Sequence, residues 1–154
     1  MLLDEVLARV RESSVGDLVV VTGAHEVETD ARVVRCPEWE RGVGASLRCG
    51  LRELPSEVKA AVVVLADGPD LAPAAIDRVL EVWRESAAEV VAATYGGQRL
   101  HPVLLARAVW ERIPDEGARE LPGLLVPCDD LDSPGDVDFA DDLPERFKAQ
   151  TGEE

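Results

Sequence analysis

Apolar residues recur along this chain with two alternating spacings. Near the start, Leu3, Val6, Leu7 and Val10 follow one another at intervals of three or one, which predicts an amphipathic helix. The next run, residues 18–23, is rich in β-branched residues and apolar on both faces. Such a run is typical of a strand that helices cover on both sides of a parallel sheet.

The same two patterns continue to residue 127. Further strands are predicted at residues 32–36, 60–66, 90–95, 101–106 and 124–127. Further helices are predicted at residues 46–54, 73–87, 108–112 and 117–121. The alternation of strands and helices indicates an α/β fold with helices on both faces of a sheet.

Three residues refine these elements. Ser46 is placed to cap the helix that it opens, and Pro73 occupies a first turn, where a missing amide hydrogen is harmless. Pro102 lies in the strand at residues 101–106 and cannot donate to a ladder. That strand is therefore predicted to lie at an edge of the sheet.

Length and charge narrow the class of protein. The chain has 154 residues and a hydrophobic content of 46%, which supports one compact domain. We place this domain at residues 1–144 and an acidic tail at residues 145–154. The formal net charge is −15. Nucleic acids and anionic membranes both attract basic surfaces, so the charge argues against either as a partner.

The cysteines and the apolar runs indicate a compartment. Cys36, Cys49 and Cys128 form no CxxC pair, so they are predicted to be free thiols of a reducing cytosol rather than zinc ligands or a disulfide framework. No apolar run is long enough to span a membrane, and the N-terminal residues are acidic where a signal peptide is basic. The sequence therefore predicts a cytoplasmic protein.

Asp67 is the most informative candidate for chemistry. It follows seven apolar residues at the carboxyl end of a predicted central strand, where ligands of open α/β sheets bind. It could hold Mg²⁺, or it could cap the turn into the next helix, and the pattern favours neither. A second acidic group contains Asp129, Asp130, Asp132 and Asp136. Asp130 or Asp132 could supply a second metal ligand, although each alone is typical of a solvated turn.

A glycine-containing loop precedes the predicted helix at residue 46. The amides of Gly42, Gly44 and Ser46 could receive a phosphate or a ribose, although the spacing matches no phosphate-binding fingerprint. Trp39, beside this loop, could line a pocket or pack in a core. His101 is isolated in the sequence, and an isolated histidine is more often a satisfied structural residue than a ligand.

Taken in order, six segments resemble the MobA-like nucleotidyltransferases, especially the molybdenum-cofactor cytidylyltransferase branch. They are VVVTGAH (19–25), PEWERGVGASLRCGL (37–51), VVVLADGPDL (62–71), GGQRLHPVLLARAVWERI (96–113), PDEGAR (114–119) and DDLDSPGDV (129–137). The ordered set is far more specific than any one segment, and it covers nearly the whole chain.

The resemblance implies a Rossmann-like three-layer fold with a mostly parallel sheet. It implies transfer of a nucleoside monophosphate from CTP or GTP to a pterin phosphate, with release of pyrophosphate. It assigns Asp67 to catalysis and to Mg²⁺ binding, together with Asp130 or Asp132. It places Trp39, Gly42, Gly44 and Ser46 beside the nucleotide, and His101 and Pro102 beside the acceptor.

The chain also departs from the family pattern at its start. Family members begin with a strand and a loop of the type LAAGxSxRMGxxK, whereas Met1 begins in the helix that follows this loop. We therefore expect the first strand, which lies inside the family's sheet, to be missing. A catalytically inactive nucleotide-binding domain, or one that depends on a partner, is the alternative function.

Overall fold

The computed structural model describes residues 2–23, 27–66, 68, 70–119 and 121–134. Within these residues, three α-helices and six strands follow one another. They are α1 (Leu2–Arg11), β1 (Val19–Thr22), β2 (Arg32–Arg35), α2 (Val43–Arg52), β3 (Ala60–Val63), α3 (Pro73–Ser86), β4 (Val90–Tyr95), β5 (Gln98–Ala106) and β6 (Leu124–Pro127). Two 3₁₀ helices span Trp39–Arg41 and Arg107–Arg112. The predicted α/β order is confirmed.

Several predicted boundaries are wrong. Helix α2 begins at Val43 with Gly42 as its N-cap residue, so Ser46 lies inside the helix and does not cap it. Strand β3 ends at Val63, short of residue 66. The described residues of the stretch 117–121 form turns rather than a helix, because Gly117 has a positive φ of 124°.

The strands form two separate sheets. A four-stranded sheet has the order β3-β5-β4-β6, and a two-stranded sheet pairs β1 with β2 in parallel. In the larger sheet β4 and β6 are parallel, while β5 runs antiparallel to both β3 and β4. Strands β3, β4 and β6 therefore point in one direction, and only β5 is reversed.

The prediction that the strand containing Pro102 lies at an edge is wrong, because β5 is central. A bulge explains how a proline is accommodated there. Val103 pairs with Ala92 and Arg99 pairs with Thr94, so residues 100–102 lie opposite a single residue of β4. The ladder with β3 ends at Val103. Pro102 therefore lies outside both regular ladders, where its missing amide hydrogen is not needed.

Helices cover both faces of the sheets, which gives three layers. On one face α2 and the 3₁₀ helix at Arg107–Arg112 pack on β4 and β5 through a cluster that includes Leu47, Leu105 and Trp110. On the other face α3 packs on the same strands through Val79, Leu104 and their neighbours. Helix α1 joins α3 on that face. This arrangement is the Rossmann-like architecture expected from the sequence.

The prediction for two of the cysteines is wrong. Cys36 and Cys49 form a disulfide, with Cα atoms 6.0 Å apart. Helix α2 packs beside the β1–β2 pair and brings Cys49 next to the residue that follows β2, a proximity that the sequence separation of 13 does not reveal. Cys128 is free and buried. None of the helices in the described residues combines the length and apolar character that a membrane span requires.

Candidate functional site at the carboxyl edge of the sheet

Two loops meet at the edge where β3 and β6 end. The loop after β3 leads to α3, and the segment after β6 contains the second acidic group. The backbone amide of Asp70 donates to the carbonyl oxygen of Pro134 at 3.0 Å. A Cβ added to Gly68 would lie only 2.9 Å from Cβ of Pro134. The structure therefore brings the surroundings of Asp67 and the second acidic group together, although Asp67 itself lies outside the described residues.

The acidic residues after β6 have different surroundings. The Asp129 carboxylate accepts a hydrogen bond of 2.8 Å from the amide of Gly96. Both carboxylate oxygens of Asp130 accept from the Arg78 guanidinium, at 2.7 and 2.9 Å, and this contact lowers the pKa of Asp130 to about 2. Asp132 is exposed. Asp130 is therefore engaged by Arg78 of α3, and of the two predicted metal ligands only Asp130 has an ion pair among the described residues.

His101 lies beneath the loop after β3. Its side chain is buried, and its Nδ1 accepts a hydrogen bond of 3.4 Å from the amide of Leu65. A Cβ on Gly68 would lie 2.7 Å from Nε2 of His101, so the loop backbone rests on the imidazole ring. Burial lowers the pKa of His101 to about 4, which keeps the ring neutral at pH 7.

Pro102, the other predicted acceptor residue, is also buried. The hydroxyl of Tyr95 donates to the carbonyl oxygen of His101 at 3.1 Å and fixes the backbone at this point. His101 thus supports the loop after β3, and Pro102 follows it as a buried residue of β5. His101 can position the loop from there, whereas both residues are too buried for direct contact with a ligand.

The glycines before and within α2 are packed against another loop. The amide of Gly44 donates to the carbonyl oxygen of Asp115 at 2.7 Å, and the space for a Cβ at Gly44 is filled by the carbonyl oxygen of Pro114. Gly42 has a φ of 133°, and a Cβ there would meet the Asp115 backbone. These two glycines allow close approach to residues 114–117, a structural role that the sequence did not indicate.

The other predicted nucleotide-binding residues lie beside these glycines. Trp39 begins the 3₁₀ helix before α2 and is half-buried. Ser46 is buried inside α2, and its hydroxyl finds no hydrogen-bond partner among the described residues. The four predicted residues therefore share one segment, which residues 114–117 hold in place.

Arginines near this segment are held by other protein groups. Arg48 is half-buried and donates to the carbonyl oxygen of Ile113 and, at 2.6 Å, to the Asp115 carboxylate, whose pKa it lowers. Arg41 also reaches Asp115, at 3.3 Å. Asp115, which joins both arginines, was not predicted from the sequence. The only feature of the sequence that pointed to Asp115 is its place in PDEGAR (114–119), one of the six segments that carry the family resemblance.

Several known proteins are similar to this chain. A family model described as the MobA-like NTP transferase domain matches residues 1–125. Among solved structures, a homologue of Mycobacterium tuberculosis Rv0371c from Mycobacterium sp. strain JC1 is 23% identical with a TM-score of 0.73, covering 93% of this chain and 79% of its own. Rv0371c from M. tuberculosis H37Rv is 24% identical with a TM-score of 0.72, and the match covers 93% of this chain and 81% of Rv0371c.

A third structure is that of Rv0371c in complex with manganese, at 23% identity and a TM-score of 0.69, covering 96% of this chain and 87% of that protein. Similarity at these identities establishes the fold. A search of the curated proteins found no match.

Proposed function

The chain belongs to the MobA-like NTP transferase family, and from this premise we propose that it transfers a nucleoside monophosphate from CTP or GTP to a molybdopterin-like phosphate acceptor, with release of pyrophosphate. The family assignment supports nucleotidyl transfer as the class of chemistry. The observation that carries the proposal is the hydrogen bond between the Asp70 amide and the Pro134 carbonyl oxygen, because it joins the two acidic segments at the carboxyl edge of the sheet.

The donor set at this edge suits a divalent cation. Carboxylate oxygens are the ligands that Mg²⁺ prefers, and Asp132 offers an exposed carboxylate two residues before Pro134, which contacts the loop that carries Asp67. Asp67 and Asp132 would hold the ion, and Asp130 would join them only by leaving Arg78. The related Rv0371c structure that contains manganese supports a divalent metal. The ion would neutralise negative charge on the phosphates.

The chain's own residues would position the reactants. Neutral His101 supports Gly68 from below and receives the Leu65 amide, so it fixes the backbone on either side of Asp67. Because phosphoryl transfer depends on positioning and on charge neutralisation, a fixed carboxylate at this point is what the reaction requires. His101 and Pro102 would border the acceptor through this loop.

The nucleotide would lie along the segment from Trp39 to Ser46. The aromatic face of Trp39 suits stacking on a base, and the Arg41–Arg48–Asp115 contacts hold the segment against residues 114–117. Ser46 contributes from within α2, where its hydroxyl has a hydrogen-bonding capacity that no described residue uses.

Binding without turnover is the second candidate function, and the arginine contacts favour it. Arg48 donates to the Ile113 carbonyl oxygen and the Asp115 carboxylate. Arg99 donates to the carbonyl oxygens of Leu121 and Ala118, and Arg107 donates to those of Val58 and Pro55. These contacts occupy guanidinium donors of the three arginines, which leaves fewer of them to bind a triphosphate during transfer. A domain that binds nucleotide and metal but needs a partner for catalysis would show this arrangement.

Calorimetric titration with CTP and with GTP, each with Mg²⁺ or Mn²⁺, tests the proposal. We expect one nucleotide to bind in a metal-dependent way, and D67N to weaken that binding by about ten-fold or more. D132N should weaken it, while D130N should have a smaller effect. D30N is the matched control. Asp30 is an exposed carboxylate that pairs with Arg11, and it precedes β2, remote in the sequence from both acidic segments.

Release of pyrophosphate in the presence of a molybdopterin acceptor separates the two candidate functions. Release indicates the transferase, whereas metal-dependent binding without release indicates the binding domain. If neither nucleotide binds with either metal, both candidate functions are wrong.

A further inference from the structure

A disulfide encloses the segment that carries the predicted nucleotide-binding residues. Cys36 follows β2 and Cys49 lies in α2, so the bond between them closes a loop of residues 37–48, called here the closed loop. The closed loop contains all four residues predicted to border the nucleotide, which are Trp39, Gly42, Gly44 and Ser46. Opening the bond would therefore release a constraint on all four residues at once.

The two ends of the closed loop are also held by noncovalent contacts. The amide of Cys36 donates to the carbonyl oxygen of Thr22 at 2.8 Å, which continues the pairing of β1 with β2. Helix α2 packs on the larger sheet through Leu47 and Leu51, in a cluster with Leu105. These contacts do not depend on the sulfur–sulfur bond, so we expect its reduction to loosen the closed loop without unfolding the chain.

The surroundings of the two cysteines suit both redox states. Cys36 is fully buried and Cys49 is half-buried, so a thiolate can approach the bond from the Cys49 side. The Sγ of Cys36 lies 3.4 Å from the carbonyl oxygen of Ser46. A disulfide sulfur carries no hydrogen, whereas a Cys36 thiol can donate to this oxygen. The buried thiol that reduction creates therefore has an acceptor already in place.

We propose that Cys36 and Cys49 form a reversible redox site that sets the order of the closed loop and, resting on the proposed function, the affinity of that loop for nucleotide. The reductant is a dithiol, and one of its thiolates attacks Sγ of Cys49, which breaks the protein disulfide and releases Cys36 as a thiolate. The second sulfur of the reductant attacks the mixed disulfide, releases Cys49 and closes a cyclic disulfide. Two electrons pass to the protein, and each cysteine takes up one of the two protons that the reductant loses. A disulfide oxidant reverses the exchange.

Thiol counting tests whether the folded chain exchanges this bond. The chain is incubated with dithiothreitol without denaturant, quenched in acid, and alkylated after unfolding. We expect one alkylated cysteine before reduction, Cys128, and three after it, and we expect oxidised glutathione to return the count to one. A bond that opens only in denaturant would be a purely structural disulfide and would overturn the proposal.

Amide exchange measures what reduction does to the closed loop. We expect residues 37–48 to exchange about ten-fold faster or more in the reduced chain, and β4 to be unchanged. The variant C49S should show the fast exchange with or without dithiothreitol. C128A is the matched control, because it removes the free cysteine and keeps the disulfide, so it should respond to reduction as the unmodified chain does. If C49S does not fold, the oxidised and reduced forms of the unmodified chain supply the comparison, and equal exchange in the two forms would overturn the proposal.

Calorimetric titration with CTP and with GTP, each with Mg²⁺, connects the bond to nucleotide binding. The nucleotide that binds the oxidised chain should bind the reduced chain and C49S about ten-fold more weakly or worse, while C128A should match the unmodified chain in both states. Equal or tighter binding by the reduced chain would overturn the proposal. If neither nucleotide binds the oxidised chain, the proposed function is wrong, whereas thiol counting and amide exchange, which use neither nucleotide nor metal, still decide whether the two cysteines form a redox site.

Discussion

The two sheets are made of similar residues but differ in how many of their strand edges are hydrogen-bonded to a neighbouring strand. Strand β4 has a ladder on each side, with β5 and with β6, and Val90, Val91, Ala92 and Ala93 are all buried. Strand β1 has the same β-branched character, yet within the described part of the chain it pairs only with β2. Its buried side chains are covered by helices, while an apolar groove of about 320 Å³ lies beside it, between β1 and β3.

This difference separates two requirements that usually coincide. Apolar side chains need to be covered, and helices can cover them without any contribution from a neighbouring strand. Strand edges need hydrogen-bond partners, which helix packing does not supply. Strands β4 and β5 meet both requirements, whereas β1 and β3, which border the groove and pair on one side only among the described residues, meet the first better than the second.

The largest expected loss of stability comes from opening a cavity at β5, which has a ladder on each side. Leu104 is fully buried in β5, and L104A should lower the free energy of unfolding by about 2–5 kcal/mol. Val21 of β1 already borders the groove, so V21A removes fewer contacts and should cost about 1 kcal/mol. Urea unfolding measures both values. Equal losses would mean that the region around β1 is packed as tightly as the larger sheet.

The fold could be predicted from the sequence because its elements have strong local patterns. Residues 90–95 and 124–127 form strands with the predicted bounds, and Pro73 lies in the first turn of α3 as expected. The position of β5 could not be predicted, since the bulge that accommodates Pro102 depends on pairing with β4. The disulfide was missed for the same reason, because α2 brings Cys49 to Cys36 only in the folded chain.

The candidate site was less predictable than the fold. The acidic groups were visible in the sequence, but their meeting depends on a hydrogen bond between Asp70 and Pro134 that no pattern encodes. Gly42 and Gly44 suggested a phosphate loop, yet both face residues 114–117. Glycines that permit approach to a ligand and glycines that permit approach to another loop look the same in a sequence.

A second prediction concerns the burial of His101 in β5 and the dependence of stability on pH that follows from it. Burial lowers the pKa of His101 to about 4, below the ordinary value of 6.5. The unfolded chain therefore binds the proton more readily, and stability should be fullest above pH 6.5 and fall as the pH drops towards 4. The loss from this residue alone should be roughly 3 kcal/mol.

The variant H101N isolates this contribution. Asparagine can offer an oxygen to the Leu65 amide in place of Nδ1, and it does not titrate. Urea unfolding at several values between pH 4 and pH 7 should give a flatter stability profile for H101N than for the unmodified chain. Parallel profiles would show that the imidazole is open to water and that this edge of the sheet is looser than its contacts indicate.

The smallest effect we predict compares two glycines of α2 that face the two regions. At Gly44 an added Cβ meets backbone atoms of Pro114 and Gly117, which cannot move aside cheaply, so G44A should cost about 1–3 kcal/mol. At Gly50 the Cβ meets the side chain of Val21, which borders the groove and has room to shift. Alanine favours a helix over glycine by about 1 kcal/mol, so G50A should come out near neutral. Thermal and urea unfolding of the two variants supply the comparison, and a cost for G50A equal to that of G44A would mean that the groove gives Val21 no freedom.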